Sequence, residues 1–255
     1  MFKKAILISF LFLLTLSLVL IFPQKITKEK IENKIDQTVT KIEEIQETIA
    51  PKPTVILESG LPNKHLIQTA FVPQAPEKNW DQPWQDACEE ASLLTVDFYY
   101  QNINKVSIET ARDSILDMIK FEDTKNYTYD MTIDQMAIVG KDYLGYESEI
   151  INNPTIDQIK KYISQNIPVI VTANGKTLYA ENKYFKSGGP YYHSAVILGY
   201  DDDKKQFTVH DVGTQFGAYF KYSYDLLMES IHDFPESGHK EDINNGEKRV
   251  LILLK

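Results

Sequence analysis

One cysteine, Cys88, stands in a chain of 255 residues. A single thiol forms no intramolecular disulfide, so packing must hold the fold whatever the redox state of its compartment. Paired Cys motifs and the HExxH spacing are absent too, and five histidines scattered among many carboxylates make no metal-ligating pattern. Neither a metal nor another cofactor is expected. There is no basic stripe, and the formal net charge is −9. Neutralising a run of phosphates takes clustered Lys and Arg, so nucleic acid is not an expected partner. With 43% hydrophobic residues, the chain can bury one core of about 200 residues and carry appendages.

The first appendage is a charge-free apolar run over residues 5–22, preceded by Lys3 and Lys4. At about 1.5 Å per residue it is just long enough to cross a bilayer as a helix. A cleaved signal peptide and a retained signal anchor can both begin this way. The run is long for the former and no small-residue cleavage site follows, which favours an anchor over residues 1–23. Lys3 and Lys4 would hold the N-terminus in the cytoplasm and send the rest outward, opposed by Lys25, Lys28 and Lys30. Residues 24–60 turn to Lys, Glu, Ile and Gln, with a weak apolar edge from Ile26, Ile31, Ile35, Val39, Ile42 and Ile45. This reads as a stalk, either a short coiled coil or a charged linker. A single globular domain over residues 61–255 follows.

That domain should open with a short strand in HLIQTAFVPQAP, stopped by Pro73 and Pro76. Asp86 as N-cap and Glu89 three residues later make an acidic capping box, which starts a helix with Cys88 in its first turn. Ala87, Ala91, Leu94 and Phe98 form the apolar stripe of that helix. A second helix is predicted from its cap Ser107 to about Phe121, with Ile108, Ala111, Ile115 and Ile119 inward. Thr132 and Thr155 each open the tetrapeptide TIDQ, a Thr-x-x-Gln capping box. From Asn166 the pattern changes to IPVIVTA, HSAVILGY, KQFTVHDV, GAYFKYS and KRVLILLK, which are short β-branched or aromatic runs. Helices first and strands after predict an α+β domain, with an antiparallel sheet against a central Cys88 helix.

A thiol in the first turn of a helix meets unpaired N–H groups and the positive end of the dipole, which favour thiolate. Its candidate base is His193, at the start of one strand, with Asp211 at the end of the next. A hairpin turning about Asp202 pairs positions whose numbers sum to 404, which sets His193 opposite Asp211. Directly opposed side chains are close enough for a carboxylate to hold an imidazole. A slip of one residue would turn Asp211 away and bring in His210 instead. Cys88, His193 and Asp211 would then be nucleophile, base and orienting acid. The oxyanion of acyl transfer also needs donors: the Cys88 N–H and a side-chain amide, Gln82 in preference to Gln85 and Gln74. Residues 174–192, with Gly188 and Gly189 as hinges, form a candidate substrate-side loop.

The residues FVPQAP, a Gln six positions before the cysteine, CEEASLLTVDFYY, PVIV and HSAVILGYDDDKKQFTVHD occur here in a familiar order. Over about residues 66–212 they resemble the papain-like cysteine peptidases, and among these the bacteriocin-processing, double-glycine-leader group and its relatives, family thirty-nine. The resemblance implies a papain-like fold, with Cys88 as nucleophile, His193 as base, Asp211 as orienting residue and Gln82 as oxyanion donor. Asp211 is followed by Val212 where the family often has proline, and no transporter domain or ATP-binding loop follows. The expected protein is a membrane-tethered, extracytoplasmic cysteine peptidase acting on a peptide or protein substrate. Two rivals are a cell-wall amidase or acyltransferase with the same Cys–His arrangement and a tethered module without chemistry. Glu89 and Glu90 beside the thiol favour the module, because negative charge opposes a thiolate.

Overall fold

A computed structural model describes residues 60–255, Thr128 excepted. The expected anchor and stalk lie outside these residues, Gly60 apart. No helix among the described residues is long and apolar enough to cross a membrane.

The domain is α+β, built on an antiparallel sheet. Its helices are α1 (Cys88–Tyr100), α2 (Ile108–Thr124), α3 (Ile133–Asp142), α4 (Ile156–Ser164), α5 (Gly175–Leu178) and α6 (Tyr224–Ser230). Its strands are β1 (Lys64–Leu66), β2 (Glu147–Asn152), β3 (Val169–Asn174), β4 (Tyr192–Asp201), β5 (Gln206–His210), β6 (Phe220–Ser223) and β7 (Arg249–Leu254). They lie in the order β2-β7-β3-β4-β5-β6, and β1 adds to β4. The long β4 is the organising strand. One of its edges takes β3 along its first half and β1 along its last residues, while β5 runs along the other.

Helix α1 packs against β4 on one side and α2 on another, and every residue from Cys88 to Phe98 is buried. The stripe of Ala87, Ala91, Leu94 and Phe98 is inside as expected, but so is the polar side of the helix. Burying polar groups requires partners. Thr95 donates to Ala91 O at 2.8 Å, Tyr146 donates to Asp97 at 2.8 Å, and Ser194 of β4 donates to Ser92 at 3.0 Å. The last of these ties α1 to β4 one turn below Cys88 and one residue beyond His193. Asn102, in the left-handed region at φ 60°, ends the helix.

Ser107 caps α2, and Thr132 and Thr155 form complete capping boxes on α3 and α4. In α2 the inward residues are Ala111, Ile115 and Met118, whereas Ile108 is 54% exposed. Strand β2 breaks the predicted order of helices before strands, since it lies between α3 and α4 and pairs with β7. The predicted opening strand shrinks to Lys64–Leu66, and the chain then runs irregularly across Pro73 and Pro76.

Candidate active site

Cys88 begins α1, but Asp86 does not cap it. Ala87 holds the N-cap position, where no side chain accepts a first-turn N–H. Asp86 ends a 3₁₀ turn, Trp84–Asp86, in which its carboxylate accepts Gln82 Nε2 at 2.6 Å and Gln85 Nε2 at 3.4 Å. Glu89 is turned inward and is fully buried. One of its oxygens accepts the Met131 N–H at 2.9 Å, and the other accepts the Cys88 thiol at 2.9 Å. The expected capping box is absent because both acids are committed elsewhere.

This arrangement works against the expected thiolate. Burial first, and then the Glu89 carboxyl, push the Cys88 thiol well above its ordinary range. A helix dipole contributes about 0.3–1 kcal/mol, less than the cost of an anion beside a carboxylate in a dry site. Glu89 is itself pushed up, by burial and then by Glu90 and Asp130. In this arrangement the nucleophile candidate is a hydrogen-bond donor to Glu89.

His193 is the second residue of β4, opposite Ala173 of β3. Its Nε2 lies 2.9 Å from Asp211 Oδ1. Asp211 also accepts Asn182 Nδ2 at 2.9 Å, the Tyr222 hydroxyl, and the Gly213 N–H at 3.2 Å. A carboxylate receiving those donors is the acceptor toward His193 as well. Nε2 therefore carries a proton toward Asp211, and Nδ1 is the nitrogen left for another partner. Burial would raise the Asp211 pKa, but the contacts with His193, Tyr222 and Asn182 outweigh it and hold the carboxyl below its usual range.

The pair forms by a different register from the expected one. Near the turn, Asp201 faces Gln206 and Gly199 faces Thr208, so paired numbers sum to 407. An irregularity between Ile197 and Gly199 absorbs one residue, and beyond it Ile197 faces Val209 and Val196 faces His210. That register, carried one step on, would set Ala195 opposite Asp211, with His193 two residues away on the same face. The unbroken register would have left His193 and Asp211 on opposite faces, since a shift of one residue inverts the side chains. His210 points elsewhere. It accepts the Tyr219 N–H on Nδ1 at 3.1 Å, packs edge-on to Phe71, and is pushed down to about 4 by burial.

Cys88 and His193 both line a cavity of about 430 Å³. One wall comes from the segment before His193, through Tyr184, Phe185, Lys186, Ser187, Gly189 and Pro190. Gly189, at φ 85°, is required there: a Cβ would lie 2.2 Å from Gly175 O. Gly213 is equally constrained, since a Cβ would meet His193 Cε1 at 2.6 Å. Phe185 stands edge-on to the imidazole, with ring centroids 5.2 Å apart.

Gln82 is exposed, bonded to Asp86, and does not line this cavity. Gln74 does. It is buried, and its Nε2 donates to Trp84 O at 2.9 Å and Gln85 O at 3.0 Å, while its own N–H donates to Val212 O at 3.0 Å. Gln74 thus braces the turn before Cys88 against the loop after Asp211. Asn182 and Tyr222, the further partners of Asp211, carry no sequence signal beyond an inward position for Tyr222 in its strand.

Among solved structures, a candidate C39-like peptidase from Bacillus anthracis is 16% identical with a TM-score of 0.32, matching 49% of this chain and 60% of its own. Xylellain, a cysteine protease from Xylella fastidiosa, is 14% identical with a TM-score of 0.29, matching 43% of this chain and 40% of its own. The chain thus spans about three fifths and two fifths of these two structures, and at such TM-scores neither carries a structural argument. No curated protein matches the chain. The sequence profile of the Peptidase_C39 like family matches residues 66–239, most of the domain that holds Cys88, His193 and Asp211. The chain belongs to the Peptidase_C39 like family, and the matched residues form a C39-like cysteine peptidase domain.

Proposed function

We propose that this protein is a membrane-tethered, extracytoplasmic peptidase that hydrolyses peptide bonds through Cys88, His193 and Asp211. The observation that carries the reading is that Cys88 and His193 line one cavity, with Asp211 holding His193 from behind it. His193 Nδ1 takes the thiol proton, while Asp211 fixes the tautomer and steadies the imidazolium. The thiolate attacks the substrate carbonyl. The oxyanion is met by the Cys88 N–H and by the amide of Gln74, which lines the cavity where Gln82 does not and gives one Nε2 hydrogen to this role by releasing Trp84 O or Gln85 O. His193 returns the proton to the leaving amine, and water then releases the acyl group from sulfur. The apolar run over residues 5–22 supplies the tether.

The test is hydrolysis of peptides by the purified protein and by Cys88→Ala and His193→Ala variants of the same fold. Loss in both variants supports the proposal, and an unchanged rate in Cys88→Ala removes it. Protease accessibility of the domain in intact cells tests the tether and its orientation. A binding module without chemistry is the second reading, favoured by the Cys88–Glu89 hydrogen bond. Ligand binding without turnover, retained in Cys88→Ala, would establish it.

A further inference from the structure

The peptidase reading leaves Glu89 unused, although its carboxyl, not His193, is the partner of the thiol. We propose that Glu89 is a positioning residue that restrains the nucleophile: its ionised carboxylate holds the Cys88 proton and turns the thiol from His193, and its protonation frees the sulfur. This rests on Cys88 being the nucleophile.

Three observations carry it. The thiol donates to Glu89 Oε2 at 2.9 Å. Glu89 Oε1 is fixed by the Met131 N–H at 2.9 Å, so the carboxyl cannot swing away without breaking a buried hydrogen bond. Glu89 is wholly buried, where water does not screen its charge from the sulfur. Both oxygens act as acceptors, which is the pattern of a carboxylate.

The surroundings make that charge conditional. Besides His193 of the same cavity, the titratable groups acting on Glu89 and Cys88 are Glu90 of α1, Glu122 of α2, Asp130 in the loop before α3 and Tyr192 of β4. Lys240 is the nearby cation, and it is shared between Asp86 at 3.6 Å and Asp130 at 3.5 Å. None of these neutralises Glu89. Burial and acidic neighbours raise its affinity for a proton, while the Cys88 and Met131 hydrogen bonds lower it. Proton occupancy of Glu89 then controls the sulfur: with the carboxyl neutral, the thiol loses its acceptor and its nearest negative charge, and the His193 Nδ1 becomes the better acceptor.

Glu89→Gln removes the charge and keeps an oxygen for the Met131 N–H. The measurement is the pH profile of Cys88 alkylation by iodoacetamide in the full chain. The expected result is an apparent thiol pKa about one unit or more lower than in the wild type, which is about tenfold more thiolate on the rising limb. A lower pKa also makes each thiolate a weaker nucleophile, so the observed rate there rises about threefold. A merely structural role would change the rate without moving the midpoint. An unmoved or raised midpoint overturns the proposal.

Should Glu89→Gln fail to fold, the reciprocal coupling is read in the native residue by carbon-detected NMR titration of Glu89 in wild type and Cys88→Ala. Loss of the thiol donor should raise the Glu89 pKa, and identical titrations overturn the proposal. Neither readout requires turnover. Peptide hydrolysis that survives Cys88→Ala would fail the peptidase reading, while the alkylation and NMR results separately decide the Cys88–Glu89 coupling.

Discussion

His193 Nε2 meets Asp211 Oδ1 at 2.9 Å, although the two are not partners in the β4–β5 ladder. They share a face because one residue is absorbed between Ile197 and Gly199. The imidazole is then held by its Nε2, with Nδ1 left for proton transfer. Asp211→Asn keeps the shape but lets the amide stabilise the other tautomer. Peptide hydrolysis should fall by between about 10²- and 10⁴-fold in kcat, with KM little changed. A fall of less than a few-fold, measured on folded protein, would show that Asp211 does not orient His193.

Gly213 tests the same pair sterically. A Cβ there would lie 2.6 Å from His193 Cε1, 3.2 Å from Nδ1 and 3.0 Å from Phe185 Cε1. Backbone strain does not enter, because Gly213 has no positive φ. Gly213→Ala should push the imidazole from its seat and cost about tenfold or more in kcat, since small displacements of reacting groups are costly. Thermal unfolding should show only a modest loss of stability, so that activity falls much further than the folded fraction.

The two glutamines separate the alternative oxyanion donors. Gln74→Ala should lower kcat by about 10²-fold, within the range for losing one such donor. Gln82→Ala removes only an exposed hydrogen bond to Asp86 and should leave kcat within about twofold. The reverse ranking in steady-state kinetics would return the role to Gln82.

Glu122 makes stability depend on pH. Burial first pushes its carboxyl up to about 8 from 4.5. Below about pH 4.5 both folded and unfolded chains hold this proton; between about 4.5 and 8 the folded chain alone does. Folding therefore binds a proton in that window, and the contribution of Glu122 falls as the pH rises through it. Asp211, with its pKa lowered, contributes in the opposite sense, because its stabilisation is lost as the pH falls. Glu122→Gln removes the first dependence. Urea unfolding should show the variant gaining about 1–3 kcal/mol on the wild type at pH 8 relative to pH 5. Parallel profiles would place the titration elsewhere.

The elements legible in the sequence were those whose signals are local. Ser107, Thr132 and Thr155 mark their helices because a cap needs only its own turn, and the aliphatic runs at Val169, Ser194 and Arg249 mark strands of the sheet. Strand β2 was not legible: in ESEIIN its burial alternates with exposure, as at an edge strand, and charged residues dilute the pattern. The Asp86 and Glu89 cap is absent because other partners displace it: the neighbouring Gln82 and Gln85 take one acid, and Cys88 and the distant Met131 take the other. The absorbed residue in β4 has no composition signal at all. Gly199 at that point is instead required by β1, where a Cβ would lie 2.6 Å from His65 O. Gln74 and Gln82 could not be ranked from spacing to Cys88, because the deciding fact is which loop folds back toward Val212.

The most direct measurement is digestion of a defined peptide library by the folded domain, read by mass spectrometry, with Cys88→Ala run in parallel. Cleavage at discrete bonds by the wild type, accompanied by an acyl adduct on Cys88 and absent in Cys88→Ala, is the predicted result. The same cleavages by Cys88→Ala, or none by a correctly folded wild type across its pH range, would contradict it.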